Sequence, residues 1–422
     1  MLSRRQAKRS PRPVGLGHVA STVEKGRWHG PWPTTLDGRG GHVPRRGTGH
    51  SERIPNPPHP ARGAEGASTN PQADSRGLSD RPDAPRRSPR PSGRGGCQVG
   101  EHPLADLTAA EFETLHETVL GDNEFALCLT HDVDRPYKRH QALYYALRDG
   151  SLSHLRALLP GHNPYWQFEE VMRLEDALGV RSAFYFLAEP NLLTEGTVRN
   201  WFDPELWVQF LGRYDVTAPD IVTTIRALDE GGWEVGLHGS ILAHDDRERL
   251  AEEKRALETA LDGPVRGGRQ HYLRLEGTRT WHNHVSLGLC YDSSLGSSSE
   301  YGFGHGYLPQ RPFEDEFVVF PLTLMETALP DPDVDPGLAD RACDRLLAEA
   351  AENNAVMTVL WHPRYFNDDE FPGYRRCYRR LLEQALDRNA WVGSPGQFYE
   401  RLVDAATEKW SPQRGIDVSS QS

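Results

Sequence analysis

Short apolar runs alternate with longer amphipathic segments between residues 105 and 410 of the chain. The apolar runs predict buried strands, and apolar positions spaced three and four residues apart predict helices. The predicted strands cover residues 125–131, 182–188, 233–238, 265–272, 316–322 and 355–362. The predicted helices cover residues 138–148, 165–178, 220–230, 245–261, 338–351 and 374–389, and a last helix begins at the capping residues Ser394 and Gln397. This alternation predicts an α/β fold with a mainly parallel sheet, and one domain of this length fits a (β/α) barrel.

Residues 1–100 differ in composition from the rest of the chain. They hold 14 prolines, 16 glycines and a net charge of +11, whereas residues 101–422 have a net charge of −23. Because such a segment cannot bury enough apolar surface to offset its chain entropy, we expect a disordered basic tail over 1–100. It is either an unstructured extension or a basic arm for nucleic acid or an anionic envelope polymer. We place one domain over 105–410 and a disordered C-terminus over 411–422.

Residues 101–422 are acidic and contain only three lysines among their 30 basic residues. This composition is typical of a salt-loving or GC-rich organism, and it argues against a broad contact between the domain and nucleic acid. The five cysteines show no paired spacing, which predicts free thiols in a reducing compartment. The sequence has neither an apolar export signal nor an apolar run long enough to cross a membrane, so we expect a cytoplasmic protein. It does not indicate an oligomeric state.

The strongest indication of chemistry is the sequence Thr-His-Asp-Val-Asp at 130–134, which ends the first predicted strand. Asp132 and Asp134 are two residues apart and therefore project from the same side of a strand, while His131 points to the other side. A single aspartate after a strand is often a turn residue. Two acids at the end of a buried strand are costly unless a charged group binds there, so this pair favours a metal or acid–base site.

Three other predicted strands carry a histidine at or near their last residue, namely His238, His271 and His362. In parallel α/β folds the carboxyl ends of the strands carry the chemistry. Asp134 and two imidazoles would form a site for a divalent metal ion, with Zn²⁺ as the first expectation and Co²⁺, Ni²⁺ or Fe²⁺ as alternatives. Metal-activated water would be the nucleophile, and Asp132 would accept its proton as general base.

The second metal-binding histidine has two candidates. His238 is the firmest ligand because it closes an apolar run. His271 ends the following strand, and His244 lies six residues after His238 in a predicted loop. We slightly prefer His271, and the alternative stays open.

Three further residues are candidates for the catalytic machinery. His362, fixed by the following proline, is a candidate general acid, although it could instead cap the core. Arg269 could hold Asp132 ionised. Asp292 could hydrogen-bond Arg269, although an aspartate followed by two serines is also a common turn.

These segments resemble the five motifs of the NodB-like polysaccharide deacetylases, carbohydrate esterase family four, in the same order. The matching segments are 130–134, 237–240, 269–274, 291–294 and 360–363. The resemblance covers about residues 120–400 and implies a distorted (β/α) barrel that removes N- or O-acetyl groups from sugar polymers with a metal ion. It implies that Asp132 is the base, that Asp134 and His238 are ligands, that Arg269 is the arginine of the third motif and that His362 is the acid.

The chain departs from the family pattern at two places. The second ligand histidine of the family usually follows the first by four residues, where this chain has Leu242. His244 or His271 must therefore replace it, or the metal site is incomplete. The third motif reads Arg-Gln-His at 269–271 instead of Arg-x-Pro.

We therefore predict a metal-dependent hydrolase of C–N bonds that removes N-acetyl groups, or O-acetyl groups, from a polysaccharide or glycan precursor. A backbone N–H near Tyr272 would stabilise the oxyanion. Tyr272, Trp281 and Trp361 are candidates for stacking on sugar rings, although each could be a core residue. The alternatives are an amidohydrolase acting on a small non-sugar amide and an inactive relative that only binds carbohydrate.

Overall fold

A computed structural model describes residues 103–138, 140–159, 161–189, 200–202 and 204–410. The predictions for 1–100 and 411–422 lie outside these residues. The strands are β1 (Ala126–Val133), β2 (Ala183–Leu187), β3 (Glu234–Gly239), β4 (Gly267–Gln270), β5 (Tyr291–Asp292), β6 (Val318–Val319), β7 (Leu322–Met325), β8 (Val356–Leu360) and β9 (Trp391–Gly393). The α-helices are α1 (Ala109–Leu120), α2 (His140–Asp149), α3 (Phe168–Leu178), α4 (Pro204–Gly212), α5 (Pro219–Glu230), α6 (Arg247–Leu261), α7 (Thr278–Ser286), α8 (Pro336–Glu352), α9 (Tyr374–Asp387) and α10 (Pro395–Trp410). Short 3₁₀ helices cover Leu152–Leu158, Asn200–Phe202, His271–Leu273, Glu326–Ala328 and Pro363–Phe366.

The strands form one parallel sheet in the order β6-β5-β4-β3-β2-β1-β8-β7. The first and last strands in this order, β6 and β7, are separated in sequence only by Phe320 and Pro321. One kinked segment of chain therefore forms both edges of the sheet. The sheet therefore curls round on itself, with β9 paired to the first three residues of β1. The prediction of an α/β fold with a distorted (β/α) barrel is confirmed.

The barrel separates two apolar clusters. Leu127 and Leu129 of β1 belong to the outer cluster, which the surrounding helices cover. Ala126 and Cys128, which alternate with them, belong to the inner cluster. Helices α1 and α10 also contribute to the inner cluster, so they close the end of the barrel at which the strands begin.

His131 lies on the outer face of β1, as predicted from its alternation with the two acids. Its Nε2 atom is 2.9 Å from a carboxylate oxygen of Glu175, and its Nδ1 atom contacts the carbonyl oxygen of Trp361. Glu175 also accepts hydrogen bonds from Tyr378 and Trp233. This buried network satisfies His131 within the core, which leaves the opposite face of β1 to the acids.

Several predicted boundaries need correction. The predicted strand 265–272 ends at Gln270, because the chain turns into a 3₁₀ helix at His271. The predicted strand 316–322 is split at Pro321, which lacks the N–H that a continuous ladder requires. The capping pair of α10 is confirmed, since the backbone N–H of Ser394 donates to the Gln397 side chain and the N–H of Gln397 donates to the Ser394 hydroxyl.

The cysteines follow the prediction only in part. Cys128, Cys343 and Cys377 are buried free thiols. Cys290 is disulfide-bonded, so the expectation of free thiols throughout is wrong for this residue. In the described part of the chain, no helix has both the length and the apolar character that a membrane span requires.

Glu253 of α6 holds the turn that follows β3. Its carboxylate accepts hydrogen bonds from the backbone N–H of Ser240, at 2.9 Å, and from the Ser240 hydroxyl. Burial raises the pKa of Glu253 to about 8, despite these bonds. In an unfolded chain a glutamate has a pKa of about 4.3. Between these two values the folded protein binds more protons than the unfolded chain, so its free energy of unfolding falls as the pH rises.

We expect Glu253→Gln to remove this dependence, because glutamine resembles the neutral carboxyl group at every pH. Relative to the unsubstituted protein, the variant should gain at least about 1 kcal/mol of unfolding free energy between pH 5 and pH 8. Urea denaturation at the two pH values measures the difference. Glu252→Gln, an exposed neighbour on α6, serves as the control. The prediction would be contradicted if the difference in unfolding free energy between Glu253→Gln and the unsubstituted protein were the same at both pH values.

Candidate active site and metal centre

The carboxyl ends of four strands bring the predicted side chains together. Asp132 lies near the end of β1 and Asp134 follows it, and His238 lies near the end of β3. His271 follows β4 and His362 lies two residues beyond β8. All five lie at or just after the ends of β1, β3, β4 and β8, which are neighbours, or nearly so, in the sheet. Parallel strands place their carboxyl ends at one edge, which explains why residues so distant in sequence meet.

Asp134 is the centre of the cluster. Its Oδ1 atom is 3.1 Å from Nε2 of His238 and 3.7 Å from Nε2 of His271. Its Oδ2 atom is 3.3 Å from Nε2 of His362 and 3.2 Å from Nη1 of Arg364. Burial alone would raise the pKa of Asp134, but His362, His238 and His271 hold it well below its usual range. The carboxylate is therefore ionised at neutral pH.

Asp134, His238 and His271 can hold a metal ion. Their candidate ligand atoms all lie within 4.8 Å of one another. Oδ1 of Asp134 and Nε2 of His238 are buried and make no hydrogen bond of ordinary geometry. Nδ1 of His238 is 2.9 Å from the carbonyl oxygen of Arg269, which fixes the tautomer that leaves Nε2 free to bind a cation. Burial lowers the pKa of His271 to about 3, so its imidazole is neutral. The two imidazoles and one carboxylate fit a Zn²⁺-type ion.

The geometry favours His271 over His244 as the second candidate ligand. His271 lies in the cluster, whereas Nδ1 of His244 is 3.1 Å from the carbonyl oxygen of Ile241 and its Nε2 is 4.0 Å from Oδ1 of Asp245. His271 is brought into place by an unusual backbone. Tyr272 and Leu273, which follow it, have φ values of 57° and 55°, a left-handed conformation that costs energy in non-glycine residues.

Asp132 forms a buried ion pair beside this cluster. Nη1 of Arg269 is 2.8 Å from its Oδ1 atom, and Nε2 of His238 is 3.8 Å from its Oδ2 atom. Burial raises the pKa of Asp132, but the charges of Arg269, His238 and His362 outweigh it and lower that pKa. Arg269 also donates to the Thr130 hydroxyl and to the carbonyl and hydroxyl oxygens of Ser293.

The expected bond between Asp292 and Arg269 is wrong, because Ser293 occupies that position. Asp292 instead accepts hydrogen bonds from the indole N–H of Trp281, at 3.0 Å, and from the N–H and hydroxyl of Ser294. Ser294 accepts a bond from the backbone N–H of Gln270. Asp292 thus supports Gln270 at the end of β4 through Ser294, and it forms no hydrogen bond with Asp132 or Asp134.

His362 is held by a residue that the sequence did not reveal. Its Nδ1 atom is 2.7 Å from Oε1 of Glu326, and its backbone N–H donates to Oε2 of the same carboxylate. Burial lowers the pKa of His362, but Glu326 and Asp134 reverse this effect and raise it to about 10. The imidazole is therefore protonated at neutral pH.

The aromatic candidates differ in their access to the site. Trp361 is fully buried among core aromatic rings, so its predicted contact with a sugar is wrong. Trp281 is partly buried and donates to Asp292. Tyr272 is 37% exposed, and its ring stacks on that of His271 with centroids 4.3 Å apart. Of the three candidates, it is the one best placed to meet a ligand.

We expect His271→Ala to weaken Zn²⁺ binding by at least tenfold, because removing one of three protein ligands leaves only two. His244→Ala should change the affinity by less than threefold, since its ring lies outside the cluster. Competition with a chromophoric chelator measures both values, independently of any activity. Equal losses in the two variants would show that the ligand set is different.

Comparison with known proteins yields structural similarity only. No family model matches the chain, and no curated protein matches it. Among solved structures it is similar to a Mycobacterium smegmatis protein named as a polysaccharide deacetylase, with 18% identity, 68% of this chain and 92% of that chain covered, and a TM-score of 0.45. It is also similar to the allantoinase PuuE, at 15% identity and with a TM-score of 0.44. That similarity covers 74% of this chain and 97% of PuuE. A pseudoenzyme of carbohydrate esterase family four from Bacillus anthracis has 12% identity, 66% of each chain covered and a TM-score of 0.35. The fold described above is therefore assigned from the observed sheet topology, and not from these similarities.

Proposed function

We propose that the protein is a metal-dependent hydrolase that removes N-acetyl groups, or O-acetyl groups, from a polysaccharide or glycan precursor. One observation carries this proposal: an ionised carboxylate and a protonated imidazole flank the same candidate metal cluster. Asp132 lies on one side and His362 on the other, and each is held in that state by a buried partner of opposite charge. Paired acid and base groups around a metal site suit the hydrolysis of an amide or ester.

Asp132 is suited to accept a proton. Its Oδ1 atom is engaged by Arg269, while its Oδ2 atom faces His238 and the cluster. Arg269 keeps the carboxylate of Asp132 ionised and fixes its orientation. The guanidinium is itself held in place because its Nε and Nη2 atoms donate to the carbonyl and hydroxyl oxygens of Ser293. Arg269 is thus a positioning residue for the base.

His362 is suited to give a proton. Glu326 binds its Nδ1 side, so the proton on Nε2 points toward Asp134 and the cluster. Transfer of this proton to the departing nitrogen would complete the cleavage of the C–N bond. A divalent ion held by Asp134, His238 and His271 would polarise the acyl carbonyl and lower the pKa of water.

The acetylated sugar is proposed from the five ordered sequence segments that resemble polysaccharide deacetylases. The exposed ring of Tyr272 beside His271 supports it, because aromatic faces stack on sugar rings. The phenol oxygen of Tyr272 accepts a hydrogen bond from Gln209 at 2.7 Å, which holds the ring in place.

Acetate release from a panel of N-acetylated sugars, measured in high salt, tests the proposal. We expect release that a chelator abolishes and Zn²⁺ or Co²⁺ restores. A folded, metal-loaded protein that hydrolyses only small non-sugar amides would overturn the sugar assignment. A folded protein that neither binds metal nor releases acetate would indicate a carbohydrate-binding relative without catalysis.

A further inference from the structure

Two arginines that the sequence analysis did not single out line the pocket above the site. Arg135 directly follows the ligand Asp134, and Arg364 lies two residues after His362. Both line the same pocket as Asp132, Asp134 and His362. Both arginines are partly exposed, so an incoming molecule can reach them.

Arg135 is held by a neutral side chain, although its charge also acts on the buried carboxyl group of Glu189. Its Nη2 atom donates to the amide oxygen of Gln209 at 3.3 Å, and its side chain lies over Gly212 at the end of α4. A Cβ atom at Gly212 would come within 2.6 Å of its Nε atom, so glycine leaves the space that the guanidinium occupies. Within the described residues, no carboxylate forms an ion pair with Arg135.

The charges of the site do not cancel. Arg269 neutralises Asp132, and Glu326 neutralises His362. Arg364 faces Asp134 with one Nη atom at 3.2 Å, and that carboxylate is also the one that would bind a metal ion. With a divalent ion present, the pocket therefore carries a clear excess of positive charge. An excess of this kind in a partly buried pocket attracts an anion.

We propose that the substrate carries an anionic group, a carboxylate or a phosphate, close to the acyl group that is removed, and that Arg135 and Arg364 bind it. This inference rests on the proposed function and narrows its substrate class. The planar guanidinium matches the oxygen geometry of both anions and donates several hydrogen bonds in fixed directions. The two arginines thus select a charged sugar over a neutral one.

The test measures binding as well as turnover. The full-length Zn²⁺-loaded protein is titrated calorimetrically with N-acetylglucosamine, its 1-phosphate and 6-phosphate, and N-acetylmuramic acid, and acetate is followed in the same samples. Inorganic phosphate and acetate are titrated as fragments. The same measurements are made on Arg135→Gln, Arg364→Gln and the control Arg173→Gln, which removes an exposed arginine of α3 with the same change in charge.

We expect at least one anionic sugar to bind tenfold or more tightly than N-acetylglucosamine, with the phosphate and carboxylate compounds identifying the preferred anion. Arg135→Gln and Arg364→Gln should each reduce this preference about tenfold or more, while Arg173→Gln keeps it. Equal binding of neutral and anionic sugars, or a preference that survives in Arg135→Gln, overturns the proposal. When no sugar binds, fragment binding that does not depend on Arg135 overturns it as well. Arginine-dependent anion binding without acetate release would instead overturn the proposed deacetylation alone.

Discussion

Asp132→Asn is expected to reduce acetate release by about 10²- to 10⁴-fold, the range that a general base contributes. Asparagine keeps the volume of the side chain and an oxygen that Arg269 can reach, but it cannot accept a proton at neutral pH. The proposed metal ligands Asp134, His238 and His271 are unchanged, so the Zn²⁺ content should stay at its original value. Steady-state kinetics and metal analysis on the same sample test both parts.

Asp245→Asn provides the matched control, because this aspartate is 45% exposed and lies outside the cluster. Its activity should stay within twofold of the unsubstituted protein. An Asp132→Asn variant that retains more than a tenth of the activity would remove Asp132 from the role of base. A variant that loses metal together with activity would place Asp132 among the ligands instead.

Arg269→Met is expected to lower the free energy of unfolding by about 3–5 kcal/mol, the usual cost of leaving one member of a buried ion pair without its partner. Arg269 is 1% exposed and its guanidinium bonds to Asp132, Thr130 and Ser293. Methionine has a similar length but leaves the carboxylate of Asp132 and the carbonyl of Ser293 without a donor. Chemical denaturation monitored by circular dichroism measures the loss.

Two comparisons separate the ion pair from arginine in general. Arg173→Met removes an exposed ion pair with Glu170 and should cost less than about 1 kcal/mol. The double variant Asp132→Asn/Arg269→Met should recover part of the stability, since it removes the uncompensated charge. A loss below about 1 kcal/mol for Arg269→Met alone would contradict the assigned role of the pair.

The sequence allowed prediction of those parts of the site that lie at strand ends. Asp132, Asp134 and His238 close apolar runs, so their place at one edge of a parallel sheet followed from periodicity and from the rule for strand ends. The choice of His271 over His244 could not be made, because it depends on the left-handed turn at Tyr272. Nothing in the local sequence indicates that turn.

The supporting groups could not be predicted for a different reason. Glu326 and Ser293 contact His362 and Arg269 from the ends of neighbouring strands that are distant in sequence, and no local pattern marks such partners. Asp292 was predicted to hydrogen-bond Arg269, and the neighbouring Ser293 makes that contact instead. Arg135 and Arg364 follow the acid and histidine motifs immediately, which is the one signal that could have drawn attention to them.

The shortest elements were also missed. Strands β5 and β9 contain two and three residues, too few for any periodicity to appear, and they owe their conformation to pairing with neighbours. Helix α7 has only nine residues, and Trp281 and Val285 are its only apolar side chains, so its sequence gives a weak indication of a helix. The long, strongly amphipathic helices such as α9 were predicted nearly to the residue.

The strict alternation along β1 limits how this protein can evolve. Asp132 and Asp134 face the pocket, whereas His131 and Val133 anchor the strand in the core. Inserting or deleting one residue in this stretch would exchange the two faces, burying carboxylates in apolar surroundings and turning core groups toward the ligand. Evolution can therefore change the chemistry of the first motif by substitution, but an insertion or deletion of one residue in it would disrupt the fold and the site together.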